Sequence, residues 1–491
     1  MNIKSVYILV FSIVLCFGVK AQQEDMNISF EEFSKQADMN FSSFEDEQNK
    51  KMDEIRLRAN EEFSKMLGRP WKEFETQKAI ETPKRPEPPK PEIKKSEDDG
   101  AEVELEFEEI IPLPEKYMMP EPIAPIVKPE QSSASAFDFL YYNTRCTVDL
   151  NDDIKFTLTD ASERAVAEVW KHLSSYKTDV LIADCLNLRK ELNLCDWGYI
   201  TLIDSLTNKL FSGKTNEAAV LQMYILTQSG YNVRIANSGN KLVILMPARE
   251  VLYNYSYIAI DNEKYYVLDN SDNSSYKVFN HAFPEEKIPS VKINYIPKLS
   301  NKQTDKKTFV AKKYPQTKVE ISVNTTLIDF YNEYPCSDWD NYARASLSDE
   351  LRQVLYPTLM QQIKGKSQEE AANILINFVQ TAFEYKTDDE QFGYERPLFG
   401  DETFFYPYSD CEDRSILFSI LVQDLLNLDV VLVNYPGHLA TAVHFTENIT
   451  GDYMTIDGKK YLVCDPTYIG ASIGDAMPKY KTMSAKIVKI K

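Results

Sequence analysis

Cys411, His438 and Asp465 stand in that order towards the end of a 491-residue chain, each in a context suited to nucleophilic chemistry. Ser409-Asp410-Cys411-Glu412-Asp413-Arg414-Ser415 opens an apolar helical stretch, Pro436-Gly437-His438 opens a strand-like one, and Val463-Cys464-Asp465-Pro466-Thr467 closes another. A helix start offers a thiol partial positive charge and unpaired N–H groups, which favour the thiolate and can hold an oxyanion. An imidazole can take the thiol proton and return it to a leaving amine, while a carboxylate fixes the imidazole tautomer. Histidine is scarce here, with only His172, His281, His438 and His444. His444 follows His438 by about 20 Å of extended strand, so both cannot serve one thiol, and it reads as a strand-surface residue. Taken alone, Cys411 reads equally as a structural thiol. The Pro-Gly-His and Cys-Asp-Pro-Thr segments that follow it shift the reading towards catalysis. Asp410, Glu412 and Asp413 oppose ionisation of the thiol, although at a helix start they also stabilise the helix and can pair with Arg414.

The elements that must position these groups follow from the apolar spacing. Ile416, Leu417, Ile420, Leu421 and Leu425 make one helical face after Cys411. Strand patterns follow at 430–433, 439–445, 453–456 and 461–463, with Asp457-Gly458 as hairpin chemistry. Ahead of them, Ser367-Gln368-Glu369-Glu370 is a capping box opening a helix with Ala371, Ile374, Leu375, Phe378 and Ala382 on one face. The same order occurs earlier, offset by about 196 residues: a helix from Thr215, strands at 233–236, 241–246, 257–260 and 265–268, and a turn at Asp261-Asn262. In this comparison Cys411 faces Thr215, His438 faces Asn240, and Asp465 faces Asp269, so the earlier copy lacks the Cys/His pair. The expected fold is α+β, helices packed on an antiparallel sheet, in two tandem units at 134–298 and 299–491.

Residues from about 367 to 470 resemble the transglutaminase-like superfamily, a papain-like group with a Cys at a helix start and a His and an Asp on successive strands. Cys411 matches its nucleophile, His438 its Gly-His strand start, and Asp465 the Asp of its Asp-Pro-Thr ending. The chain departs from the family in having Leu439-Ala440 after the His, where an aromatic residue often follows, and in a longer His-to-Asp separation. The resemblance implies an acyl-transfer enzyme acting on protein or peptide amides through a thioester, as a hydrolase before a cross-linker. It also implies an upstream oxyanion donor, for which Gln391 is a candidate by residue type. The alternative is a non-catalytic envelope protein that uses two such units for binding or scaffolding.

The remainder of the chain sets the context. Lys4, an apolar run over 6–18 and Val19-Lys20-Ala21 read as a cleaved signal peptide at 1–21, which places the mature chain outside the cytoplasm, secreted or periplasmic. No later apolar run has the length of a membrane span. A formal charge of -20 disfavours nucleic acid and anionic lipid as partners. The six cysteines beyond the signal are irregularly spaced, and without a Cys-x-x-Cys pair or His-rich tract neither zinc nor another cofactor is expected. Over 28–68, Phe30, Phe41, Met52 and Phe63 recur every eleven residues, as do Phe33, Phe44, Ile55 and Met66, which is the stripe of a nearly straight helix ended by Gly68-Arg69-Pro70. Packing back on its own protein is preferred for this helix, and self-association is the alternative. From 81 to 131, prolines in Lys- and Glu-rich sequence predict an extended spacer.

Overall fold

The computed structural model describes residues 30–83, 91–95, 102–128, 134–175, 178–213, 215–269 and 273–490. The segment read as a signal peptide lies outside them. The chain divides into one unit up to Arg56 and a second, compact unit from Leu57 onward. Helix α1, Phe30–Leu67, accounts for the described part of the first unit and runs on into the second, ending one residue before Gly68. In its last turns Ala59, Phe63 and Leu67 are buried. Phe63 packs at 4.6 Å from Trp170 and edge-on to Phe279 at 4.9 Å, so this end of the stripe meets its own protein.

The second unit is a mixture of helices and antiparallel sheet, as the apolar patterning requires. The first of its two six-stranded sheets is built from β1 (Lys72–Glu75), β3 (Arg234–Ser238), β4 (Lys241–Pro247), β5 (Tyr257–Ile260), β6 (Glu263–Val267) and β7 (Ser275–Val278). The second is built from β2 (Phe107–Ile111), β8 (Asp429–Tyr435), β9 (His438–His444), β10 (Tyr453–Ile456), β11 (Lys459–Cys464) and β12 (Ala485–Lys489). Their orders are β1-β7-β3-β4-β6-β5 and β2-β12-β8-β9-β11-β10, so each strand of one has a counterpart at the same place in the other. The outermost pairs differ, β1 lying antiparallel to β7 and β2 parallel to β12. Helix α2 (Asn216–Gln228) packs on the first sheet, α4 (Cys411–Leu426) packs on the second, and α3 (Gln368–Thr381) packs against α4.

Side chains alternate between the two faces of each sheet. Ile235, Leu242 and Ile244 of the first sheet share one continuous core with Leu432, Leu439 and Val443 of the second, while Ala236, Val243 and Leu245 face a separate outer cluster with Phe74. The outer face of the second sheet closes over Val431, Val433, Ala440 and Ala442, with Leu105 and Phe107 contributed from the proline-rich segment.

That segment is extended, but it is more than a spacer. Leu105 N donates to Tyr453 O at 2.7 Å, Tyr453 N to Val103 O at 3.0 Å, and β2 completes the second sheet. Its strand is marked by alternation, with Val103, Leu105 and Phe107 set between Glu102, Glu104, Glu106 and Glu108 and turned onto the outer face of the second sheet, a signal that the reading of a Pro- and Glu-rich spacer passes over. Both turns read as hairpin chemistry have positive φ at their central residues, Asp261 and Asn262 in one and Asp457 and Gly458 in the other, as a type I′ turn needs.

Candidate active site

Pro436 and Gly437 form the two-residue turn between β8 and β9, and Gly437 at φ 79° takes the left-handed conformation that a type II turn requires at its second central position. Tyr435 then pairs with His438, which fixes His438 as the first residue of β9. In the first sheet Ser238 pairs with Lys241 across the corresponding turn. The place of His438 is therefore taken there by Lys241, one residue from the Asn240 expected from sequence. Lys241 Nζ forms an ion pair with Asp269, as His438 does with Asp465.

Cys411 is the first residue of α4, with Asp410 as N-cap. This helix is buried on all sides from Cys411 to Val422, beyond the single apolar face expected. Its polar residues are engaged internally. Ser415 Oγ donates to Leu439 O at 2.9 Å, which ties the helix to the strand carrying His438. Arg414, 1% exposed, donates to Ser409 Oγ at 3.3 Å, Gln380 O at 3.2 Å and Phe383 O at 3.0 Å.

Asp465 follows β11, and its two oxygens are divided between tasks. One accepts from Thr467 N at 2.8 Å, a local turn that orients the carboxylate. The other lies 2.7 Å from His438 Nε2. The Gln380 side chain clamps the loop that follows, donating to the backbone oxygens of Asp465 at 3.3 Å, Tyr468 at 2.8 Å and Ala471 at 3.1 Å. The long His-to-Asp excursion in sequence thus still closes onto the imidazole.

The other ring nitrogen of His438, Nδ1, is buried without an aligned partner, and Cys411 bears on the ring by hydrogen bonding and by charge. A loose thiol–imidazole contact is common where no substrate is bound. Burial pulls the imidazole pKa down, but the Asp465 carboxylate and the Cys411 sulfur together push it up to about 10. Tyr480 stacks on the ring at 4.8 Å and 19°, and Tyr435 lies parallel at 6.4 Å. The Tyr480 hydroxyl has no hydrogen-bond partner, and its pKa is raised by burial and then by Cys411 and Asp465, which puts it within electrostatic reach of both. Exposures of 0% for Cys411, 1% for His438 and 2% for Asp465 show that the triad is covered.

The acidic flank is more extensive than the sequence suggested. Asp388 joins Asp410 and Asp413, their carboxylate oxygens within 4.8 Å of one another, and Asp388, Glu395 and Glu412 form a second such group. Oxygen donors of this kind suit a hard cation in type. Burial, followed by the neighbouring Glu412 and Asp413 charges, pushes Asp388 up to about 10. Asp410 is raised well above the carboxylate range by burial first and Glu412 next. Asp388 therefore holds its proton at neutral pH, and beside it Glu412 Oε2 accepts from Cys411 Sγ at 3.5 Å.

Gln391 donates to Tyr408 O at 3.4 Å, so one of its amide protons is committed to backbone three residues before Cys411. His444 is half-buried against Tyr461, with Nδ1 at 2.9 Å from Lys460 O, apart from the triad pairing. The six cysteines of the described residues are all thiols. Sequence reasoning missed Gln380, Tyr435, Tyr480 and Asp388, since nothing local marks a residue that acts through a fold contact. Compared with known proteins, the chain matches no family model, no curated protein and no solved structure.

Proposed function

We propose that the chain is a secreted or periplasmic transglutaminase-like cysteine enzyme that cleaves protein or peptide amides, with Cys411 as nucleophile, His438 as acid and base, and Asp465 as its orienting carboxylate. The observation that carries this reading is the 2.7 Å His438–Asp465 contact at the first turn of a helix that begins with Cys411. The Cys411 sulfur attacks the amide carbon, and the resulting oxyanion is held by the N–H groups at the helix start. His438 gives its proton to the nitrogen as the C–N bond breaks, leaving a thioester. Water then loses a proton to His438, adds to the thioester carbon and releases the acid and the thiol.

The matching strand orders further support two copies of one unit, the earlier without the Cys/His pair. A second reading, a binding protein with a vestigial triad, is favoured by the burial of Cys411. The two readings separate on incubating the chain with an amide-directed thiol trap. An adduct lost in Cys411→Ala supports the enzyme, and no Cys411-dependent adduct defeats it.

A further inference from the structure

The first sheet has an open cleft where the second has its covered triad. A cavity of about 340 Å³ is lined by Lys241 and Asp269, which stand where His438 and Asp465 stand in the other half, and by Thr215, which caps α2 as Asp410 caps α4. Tyr255 and Asp269 also line a second cleft of about 480 Å³, which runs past residues 76–79. Asn254 of that cleft lines a third, of about 470 Å³, that ends at Asp388 and Asp410 beside the N-terminus of α4. The adjoining clefts thus lead from the inactive counterpart of the triad to the flank of Cys411.

Two features indicate what such a groove would hold. Its charge is one-sided: Asp204 and Glu333 line the first cleft, and Glu81, Asp389 and Glu395 the third, against Lys78 and an Lys241 already paired with Asp269. Each end also holds a buried polar atom without a partner. In the first cleft it is the Trp197 indole N–H, a donor on a side chain 6% exposed. In the third it is an oxygen of Asp410, 2% exposed. An extended polypeptide offers what both ends lack, carbonyls for the donor and N–H groups for the acceptor, and basic side chains would meet the acidic lining.

We propose that these clefts dock an extended, lysine- or arginine-bearing segment of the substrate, held by the non-catalytic half while its amide is presented beside Cys411. The inference rests on the enzyme reading above for its final step, but docking can be measured without turnover. In the full chain carrying Cys411→Ser, a dye-labelled peptide of alternating lysine and glutamine should bind by fluorescence anisotropy. Binding should weaken as salt is raised, and a glutamate–glutamine peptide should not bind. Glu81, Glu333 and Asp389 are exposed, so Glu81→Gln with Glu333→Gln and Asp389→Asn should weaken binding about tenfold with an unchanged melting temperature. Equal affinity for the two peptides, or a Glu333→Gln variant with undiminished affinity while Asp389→Asn loses it, would overturn docking by the first half. Binding without Cys411-dependent turnover in the native chain would instead sink the enzyme reading and leave the docking groove intact.

Discussion

Burial alone would strip the proton from His438, and the Asp465 carboxylate with the Cys411 sulfur reverses that, placing the imidazole pKa at about 10 against 6.5 for the unperturbed group. Because the folded value is the higher, the native state holds the proton more tightly. The stability this contributes is complete below about 6.5 and is lost as pH rises through about 10. Asp465→Asn removes the opposing charge yet keeps the side-chain shape. It should lower the unfolding free energy by about 3 kcal/mol at pH near 6, the scale of a broken buried pair. The loss should shrink at pH near 10.5, where the imidazole is neutral in either protein. Urea unfolding at the two pH values tests this, and an equal loss at both would show that the pair is not charged in the native state. Activity on an amide substrate should fall about 10³- to 10⁴-fold, as when a triad histidine loses its orienting carboxylate.

The proline-rich strap makes a sharp test at the level of elements. A spacer would tolerate substitution anywhere, whereas Leu105 is 2% exposed in the outer core of the second sheet, next to backbone bonds at Tyr453. Leu105→Ala should therefore cost about 3 kcal/mol, as for other buried leucines, read as a lower denaturant midpoint. A change within ±0.5 kcal/mol, typical of exposed sites, would return the segment to the role of linker. The strap does carry a strand signal, the alternation of Val103, Leu105 and Phe107 with glutamates, but the prolines on either side of it point to an extended spacer instead. The start of α4, the two hairpin turns and the N-cap at Ser367, whose hydroxyl accepts from Glu370 N at 3.1 Å as one half of the expected capping box, were legible because each is encoded within a few residues. The register between the two sheets was legible only to within one residue. Turn closure at Ser238 and Lys241, not similarity of side chains, decides that Lys241 stands at the imidazole position. Gln391 was chosen by residue type, and a bond to Tyr408 O is something residue type cannot foretell.

Across the whole molecule, buried carboxyls in both halves hold protons more tightly than free ones. Asp196, between the Tyr231 hydroxyl and Ser290 N, is raised to about 7 by burial, Asp401 to about 6 by burial, and Asp388 to about 10 by burial and its acidic neighbours. In the unfolded chain such groups ionise near pH 4. Above that pH the native state binds more protons than the unfolded state, so stability falls as pH rises towards each folded value. His438 adds to the same trend above about 6.5, and a formal charge of -20 adds self-repulsion as the carboxyls ionise. The carboxylates shifted the opposite way, such as Glu47 and Asp138 beside Lys51 and Arg145, are fully exposed, and screening leaves them little weight. Thermal melts from pH 4 to 9 should therefore peak on the acid side, near pH 5, and decline steadily through neutrality. Asp388→Asn, which keeps an acceptor for Arg396 N but cannot ionise, should leave the melting temperature near pH 5 unchanged, raise it at pH 8 to 9, and flatten the decline. A maximum at pH 7 to 8 in the native protein, or an Asp388→Asn variant destabilised equally at every pH, would mean that the acidic cluster is ionised and balanced in the folded state.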